Sequence, residues 1–154
     1  MSGKCEADIE RLLKEDLHLV SQWLVDNKLS LHLGKTESIL FGSRHRIRSS
    51  SSLDITCNGT IIESTSSVKY LGATLDQTLS FDTMARSVLQ KANARLKYLY
   101  RKKAFLTQQT KKLLVMSLIQ CHYDYACSIW YHSLTKALQN KLQTTQNKLM
   151  RFVL

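Results

Sequence analysis

VKYLGATLDQTLSFDTMARSVLQKANARLKYLYRKK, residues 68–103, changes character partway along. Val68-Lys69-Tyr70-Leu71-Gly72-Ala73-Thr74-Leu75 reads as a strand, with Gly72 marking a bulge or a close approach of backbone. After Asp82 the spacing becomes helical. On a 100° wheel Ala85, Val88, Leu89, Ala92, Leu96, Leu99 and Tyr100 fill one arc of residues 84–103. Arg86, Lys91, Arg95, Lys97, Arg101 and Lys102 occupy the other side. Strands before this point and helices after it predict an α+β fold.

Downstream, Thr107 or Gln108 opens a second helix through about Cys121, with Leu113, Leu114, Met116, Leu118 and Ile119 as its apolar residues. An aromatic segment with Tyr123, Tyr125, Trp130 and Tyr131 follows. A last helix over about 134–154 carries Leu138, Leu142, Leu149, Phe152 and Val153, which completes a basic helical bundle. Upstream, residues 6–27 predict a helix with Ile9, Leu12, Leu13, Val20, Trp23 and Leu24 on an apolar stripe that also takes in Asp16. Glu6, Asp8 and Glu10 complement the dipole at its start, and Asn27 ends it. Leu29, Leu31 and Leu33 alternate as in an extended stretch, and residues 38–41 predict a short strand ended by Gly42. Residues 43–52, SRHRIRSSSS, read as a mobile basic loop. Asn58-Gly59 between residues 53–57 and 60–62 predicts a hairpin, because both residues accept the positive φ of a type I′ turn.

The chain has 154 residues, 44% of them hydrophobic and 22% charged. A chain of this length buries roughly two-thirds of its unfolded surface, which excludes a disordered tail or a disulfide miniprotein. Four scattered cysteines predict reduced thiols. No apolar run approaches the roughly 18 residues that span a bilayer, and the polar start MSGKCEADIE does not read as a signal peptide. These features predict an intracellular chain, in cytoplasm or nucleus, with no membrane partner. The net charge is +10 and the pI about 9.6. Residues 1–82 hold nine Lys/Arg against eleven Asp/Glu, whereas residues 83–154 hold thirteen Lys/Arg against one acid, Asp124. Such asymmetry suits either a polyanionic partner or a solvated lysine-rich surface.

Two motifs fail on spacing. Gly34-Lys35-Thr36 ends like a phosphate-binding loop, but Leu29 stands where that loop needs its upstream glycine. Cys121, His122, Cys127 and His132 match no common zinc spacing and lie in an apolar, aromatic segment, so packed thiols and imidazoles are the expectation.

Residues 21–37, SQWLVDNKLSLHLGKTE, resemble the segment that follows the catalytic aspartates in LINE-type (non-long-terminal-repeat) retrotransposon reverse transcriptases. The family pattern there is W-x-x-x-N-x-L-x-L-N-x-x-K-T, with His32 here in place of its second Asn. Residues 68–76, VKYLGATLD, resemble the next motif, F-K-Y-L-G-V-x-L-D. The helices carrying Lys91, Leu96, Leu99 and Arg101, then residues 117–130 and LQTTQNK at 142–148, continue the likeness along essentially the whole chain. The resemblance implies a partial palm over residues 1–82, including a primer-grip hairpin at Lys69, Tyr70, Leu71 and Gly72, and a helical thumb over residues 83–154. It implies an RNA/DNA template–primer as partner, with phosphate contacts from Arg86, Lys91, Arg95, Lys97, Arg101, Lys102 and Lys103. A solvated basic face is the alternative for those residues, as an ordinary sheet with a buried Leu71 is for the hairpin. Lys35 matches a lysine thought to neutralise or protonate the leaving pyrophosphate; its alternative is an exposed loop lysine.

In that family an aromatic-x-Asp-Asp sequence holds two Mg²⁺ ions, and this sequence contains no Asp-Asp pair. Glu15-Asp16 is no substitute, because adjacent helical residues point about 100° apart. Ser2-Gly3-Lys4 resembles a stretch that follows the catalytic strand in relatives, so the chain reads as starting just downstream of an active site. No cofactor and no polymerase activity are expected of this chain alone, although the missing upstream part of a polymerase is a conceivable partner. The rival expectation is a decayed or domesticated retroelement reading frame acting as a protein-interaction module.

Overall fold

The computed structural model describes residues 6–48 and 54–154, and the contacts divide the chain into units 1–68 and 69–154. In the first unit, α1 (Glu6–Asp26) runs as its acidic first turn and 3.6-residue period predict. The amide of Asn27 donates to the carbonyl of Trp23, and Lys28 takes φ 57° beyond the helix end. Leu13 and Leu17 pack on a small cluster of Ile55, Cys57 and Ile62, with Leu31, Leu33 and Leu40 around it. One helical turn to either side of that pair, Glu10 Oε1 accepts from the Asp54 amide at 3.0 Å and Ser21 Oγ from Asn58 Nδ2 at 3.0 Å. This seam through positions 10, 13, 17 and 21 corrects the wider stripe expected from sequence: Val20 and Trp23 are exposed, Trp23 by 59%. They lie on the flank that the cluster, only three buried side chains across, does not reach.

The Asn58-Gly59 hairpin forms as expected. β2 (Thr56–Cys57) and β3 (Thr60–Ile61) pair antiparallel with Cys57 opposite Thr60, and both turn residues have positive φ. β1 is only Glu37–Ser38, and it pairs with β4 (Glu63–Ser64) in parallel. A second correction concerns residues 43–52. Arg44–Arg48 form a short helix, α2, begun by Ser43, whose Oγ accepts from the Arg46 amide and whose carbonyl accepts from the Ile47 amide. The serine run that follows lies outside the described residues.

In the second unit the strand expected over 68–75 is instead two: β5 (Ser67–Tyr70) and β6 (Ala73–Asp76) form a hairpin about Leu71-Gly72. A hairpin thus stands where the family resemblance implied one. The division at 68/69 falls inside β5, and β6 packs on α3 (Asp82–Arg101), so most of the hairpin belongs with the helices rather than with residues 1–68. The core joins α3, through Ala85, Val88, Ala92, Leu96 and Leu99, to α7 (Lys136–Val153), through Leu138, Leu142, Leu149 and Phe152. Ala85 and Ala92 have no exposed surface, which lets α7 approach closely. Between them run α4 (Gln108–Val115), a π-helical turn (Met116–Gln120), α5 (Cys121–Asp124) and α6 (Cys127–Trp130). Together these elements make an α+β structure of helices and short strand pairs.

The join from β6 to α3 is organised by one carboxylate. Asp76 accepts from the Thr78 hydroxyl at 2.6 Å, the Ser80 amide and hydroxyl at 3.1 and 3.0 Å, and the Phe81 amide at 2.8 Å. Partial burial pushes its carboxyl up, but these four donors outweigh that and hold it at about 2, against 3.8 ordinarily. Because the folded value is depressed, the stabilisation is fully present above about pH 4 and is lost as the pH falls through 2. Asp76→Asn is expected to cost about 1 kcal/mol at pH 7, allowing for solvent screening at this half-exposed site. Urea unfolding of both proteins between pH 2 and 7 measures it, and the two curves should converge at the acid end.

Candidate nucleic-acid interface

The hairpin tip presents its residues outward. Lys69, Tyr70 and Leu71 are exposed, Leu71 by 77%, so the alternative of a sheet with a buried Leu71 does not hold. Leu71 and Gly72 have φ 46° and 85°, the left-handed pair of a two-residue type I′ turn. The Tyr125 hydroxyl, from the loop between α5 and α6, donates to the Leu71 carbonyl. A Cβ on Gly72 would stand 3.0 Å from that hydroxyl, so glycine there answers both to φ and to a close neighbour. The tip is thereby tied to the helices.

Along α3 and just beyond its end the seven expected cations fall into different situations. Lys91, Lys97, Arg101 and Lys102 are exposed and make no ion pair among the described residues. Arg86 lies 4.0 Å from the Asp82 carboxylate, one turn earlier. Lys103 is half-buried, with Nζ 5.9 Å from the centroid of the Tyr100 ring, a cation–π contact. Arg95 turns inward: its guanidinium donates to the carbonyl of Leu118 in the π-helical turn and meets His122 Nε2. Burial lowers the His122 imidazole pKa, and the positive charges of Arg95 and Lys91 lower it further, which favours the neutral ring that can accept from a guanidinium. Nearby, Ser117 Oγ donates to the Leu113 carbonyl at 2.8 Å and Cys121 Sγ to the Ser117 carbonyl at 3.1 Å. Side-chain donors thus gather on carbonyls at the stretch where the helix widens.

Lys35 closes a single 3₁₀ turn, Leu33–Lys35, and is exposed. The Thr36 amide donates to Leu33 and its hydroxyl to the His32 carbonyl, so this segment is a backbone turn rather than a phosphate cradle. It belongs to the first unit, whereas every other expected contact residue belongs to the second. Among the described residues no three His, Cys, Asp or Glu side chains gather as metal ligands. The described residues therefore gather no set of side chains that fits the paired Mg²⁺ of the family pattern.

Two aromatic residues absent from the sequence-based set are exposed in the same stretch of chain. Tyr98, 62% exposed, lies one turn before Lys102 on α3, and Phe105, 84% exposed, ends the 3₁₀ turn Lys103–Phe105 that follows α3. The interleaving of basic and aromatic residues in LKYLYRKKAF, residues 96–105, was their signal.

No described helix is long and apolar enough to cross a membrane. No protein family matches the chain, and no solved structure matches it. Its sequence is similar to "Probable RNA-directed DNA polymerase from transposon BS" of Drosophila melanogaster, at 26% identity over 155 residues. The match covers 99% of this chain but 17% of that protein, so the chain spans about a sixth of its relative's length. Similarity along nearly the whole chain supports a reverse-transcriptase-related protein.

Proposed function

We propose that this chain is the palm-to-thumb portion of a LINE-type reverse transcriptase and grips an RNA–DNA template–primer through its phosphates, without performing the chemistry itself. The observation that carries this reading is the similarity to a transposon RNA-directed DNA polymerase along 99% of the chain. It is joined by the outward basic face of α3 and by a helical half with a single acid, Asp124. Residues 1–82 would supply part of a palm with the grip hairpin, and residues 83–154 the thumb. Lys91, Lys97, Arg101 and Lys102 are the phosphate contacts best placed by their exposure. Lys69 and Tyr70 at the hairpin tip would meet the primer strand. With no Asp-Asp pair in the sequence, no step of nucleotide transfer is assigned to these residues.

Titrating the whole chain with a labelled RNA–DNA hybrid at several salt concentrations tests the reading. Three to four phosphate contacts give a log–log salt slope of about −3, so affinity should fall roughly 60-fold between 50 and 200 mM salt. Absence of binding, or binding indifferent to salt, would overturn it. Exposed Leu19, Val20 and Trp23 on α1 favour a second reading, a protein-interaction module from a domesticated element. That reading requires no hybrid binding.

A further inference from the structure

We propose that the corner between α3 and α4, with Phe105 at its tip, stacks the unpaired bases of a nucleic-acid strand that continues beyond the duplex. The inference rests on the duplex-binding reading and adds a second class of ligand to it. Phe105 is not exposed by looseness of the chain. Its own amide donates to the Lys102 carbonyl at 3.0 Å and the next amide, of Leu106, to Lys103 at 3.3 Å. Leu106 packs against the core, and Thr107 then caps α4, its Oγ accepting from the Thr110 amide at 3.2 Å. Backbone on both sides fixes the turn that carries the ring, and the ring is 84% exposed where burial would contribute about 2 kcal/mol. A ring kept there at that cost calls for a partner that covers it.

The surrounding charge selects the partner. Arg101 and Lys102, immediately before the turn, are exposed and without ion pairs among the described residues. Tyr98, one helical turn before Lys102, adds a second exposed ring. Lys103 is held over Tyr100, whose ring meets Phe152 edge-on at 5.0 Å, so that pair belongs to the fold. Free cations close in sequence to exposed rings match the alternation of phosphate and base along a single strand: charge tracks the backbone, and the π face takes any base. Duplex alone offers no base faces to a side chain outside the stack, so Phe105 addresses an unpaired stretch.

The test compares a blunt RNA–DNA hybrid with the same hybrid carrying a ten-nucleotide single-stranded overhang, using the whole chain. The overhang should tighten binding about tenfold. Phe105→Ala should abolish that gain while leaving blunt-hybrid affinity and the salt slope unchanged, Phe105→Trp should keep it, and Phe105→Leu, which retains apolar bulk without a π face, should not. Helical content by circular dichroism should stay the same in all three. If the blunt hybrid binds but the overhang adds nothing, or Phe105→Ala keeps its gain, the inference falls and the duplex reading stands. If no hybrid binds at all, both fall. If Phe105→Ala instead weakens binding to phosphatidylserine vesicles and leaves the overhang's gain intact, the ring serves a lipid surface and the inference is likewise overturned.

Discussion

Reversing three charges together, Lys97→Glu, Arg101→Glu and Lys102→Glu, is expected to lower affinity for RNA–DNA hybrid at least about 100-fold in 100 mM salt and to flatten the salt slope by about three. The three side chains are exposed and take no partner in the described fold, so their loss removes phosphate neutralisation without uncovering the core. Each replacement also sets a carboxylate against the polyanion, which adds repulsion to the lost attraction. The comparison that gives the prediction its force is Arg95→Ala. On a helical wheel Arg95 is one of the basic set, yet its guanidinium lies on the Leu118 carbonyl and His122. Its removal should leave the salt slope unchanged within error and appear instead as a loss of stability of about 1 kcal/mol, because its hydrogen bond to the Leu118 carbonyl and its contact with His122 are lost. A triple variant with an unchanged slope, or an Arg95→Ala variant whose slope drops as much, would reject the assignment of α3 as a phosphate-tracking helix. Fluorescence anisotropy at five salt concentrations, with circular dichroism as a check on folding, suffices for both.

The α3 and α7 helices were legible in sequence because each keeps one strict period over five turns and buries that face on the other. The Asn58-Gly59 turn was legible because its chemistry is local. Periodicity failed where the geometry departs from 3.6 residues per turn. Of the five apolar residues read on the second helix, Leu113, Met116 and Leu118 are exposed, whereas Ile119 is buried and Leu114 packs on the core, and full burial runs through Val115, Ile119 and Tyr123. Those three are spaced by four, a drift that the i→i+5 turn at Met116–Gln120 sustains. Residues 68–75 carry no Asn-Gly or Asp-Gly to announce a two-residue turn, and Leu at the first turn position conceals it. The contact that ties the bend down comes from Tyr125, 54 residues away. For the candidate interface the sequence could supply charges but not their engagements. The inward turn of Arg95, the tether of Lys103 on Tyr100 and the outward hold on Phe105 all depend on neighbours from other elements or on a turn that no period encodes.

Trp130→Ala is expected to have the largest effect on stability, about 3–5 kcal/mol, enough to unfold the second unit if its total is typical of small domains. The indole is 1% exposed, so truncation removes one of the largest fully buried side chains and leaves a cavity in the core cluster it shares with Tyr123, Leu138 and Leu142 unless the helices collapse onto it. It also removes a specific bond: Nε1 donates to the Tyr125 carbonyl at 2.9 Å. That bond fixes the corner where Tyr125 is extended and Ala126 takes φ 52°, an unfavourable value for alanine that the surrounding contacts must hold. Tyr125 in turn carries the hydroxyl bound to Leu71, so the indole acts on the hairpin tip through two successive contacts. Graded variants separate the contributions. Tyr125→Phe, which deletes only the hydroxyl, should cost about 1 kcal/mol and raise amide exchange at residues 70–73 while the α3–α7 core stays protected. Trp130→Phe should cost about 2 kcal/mol, since it keeps an aromatic ring but loses volume and the N–H. Urea unfolding followed by circular dichroism measures the stabilities, and hydrogen exchange locates the loosening. A Trp130→Phe protein as stable as wild type, with hairpin protection intact, would show that the corner holds itself and that the indole merely fills space.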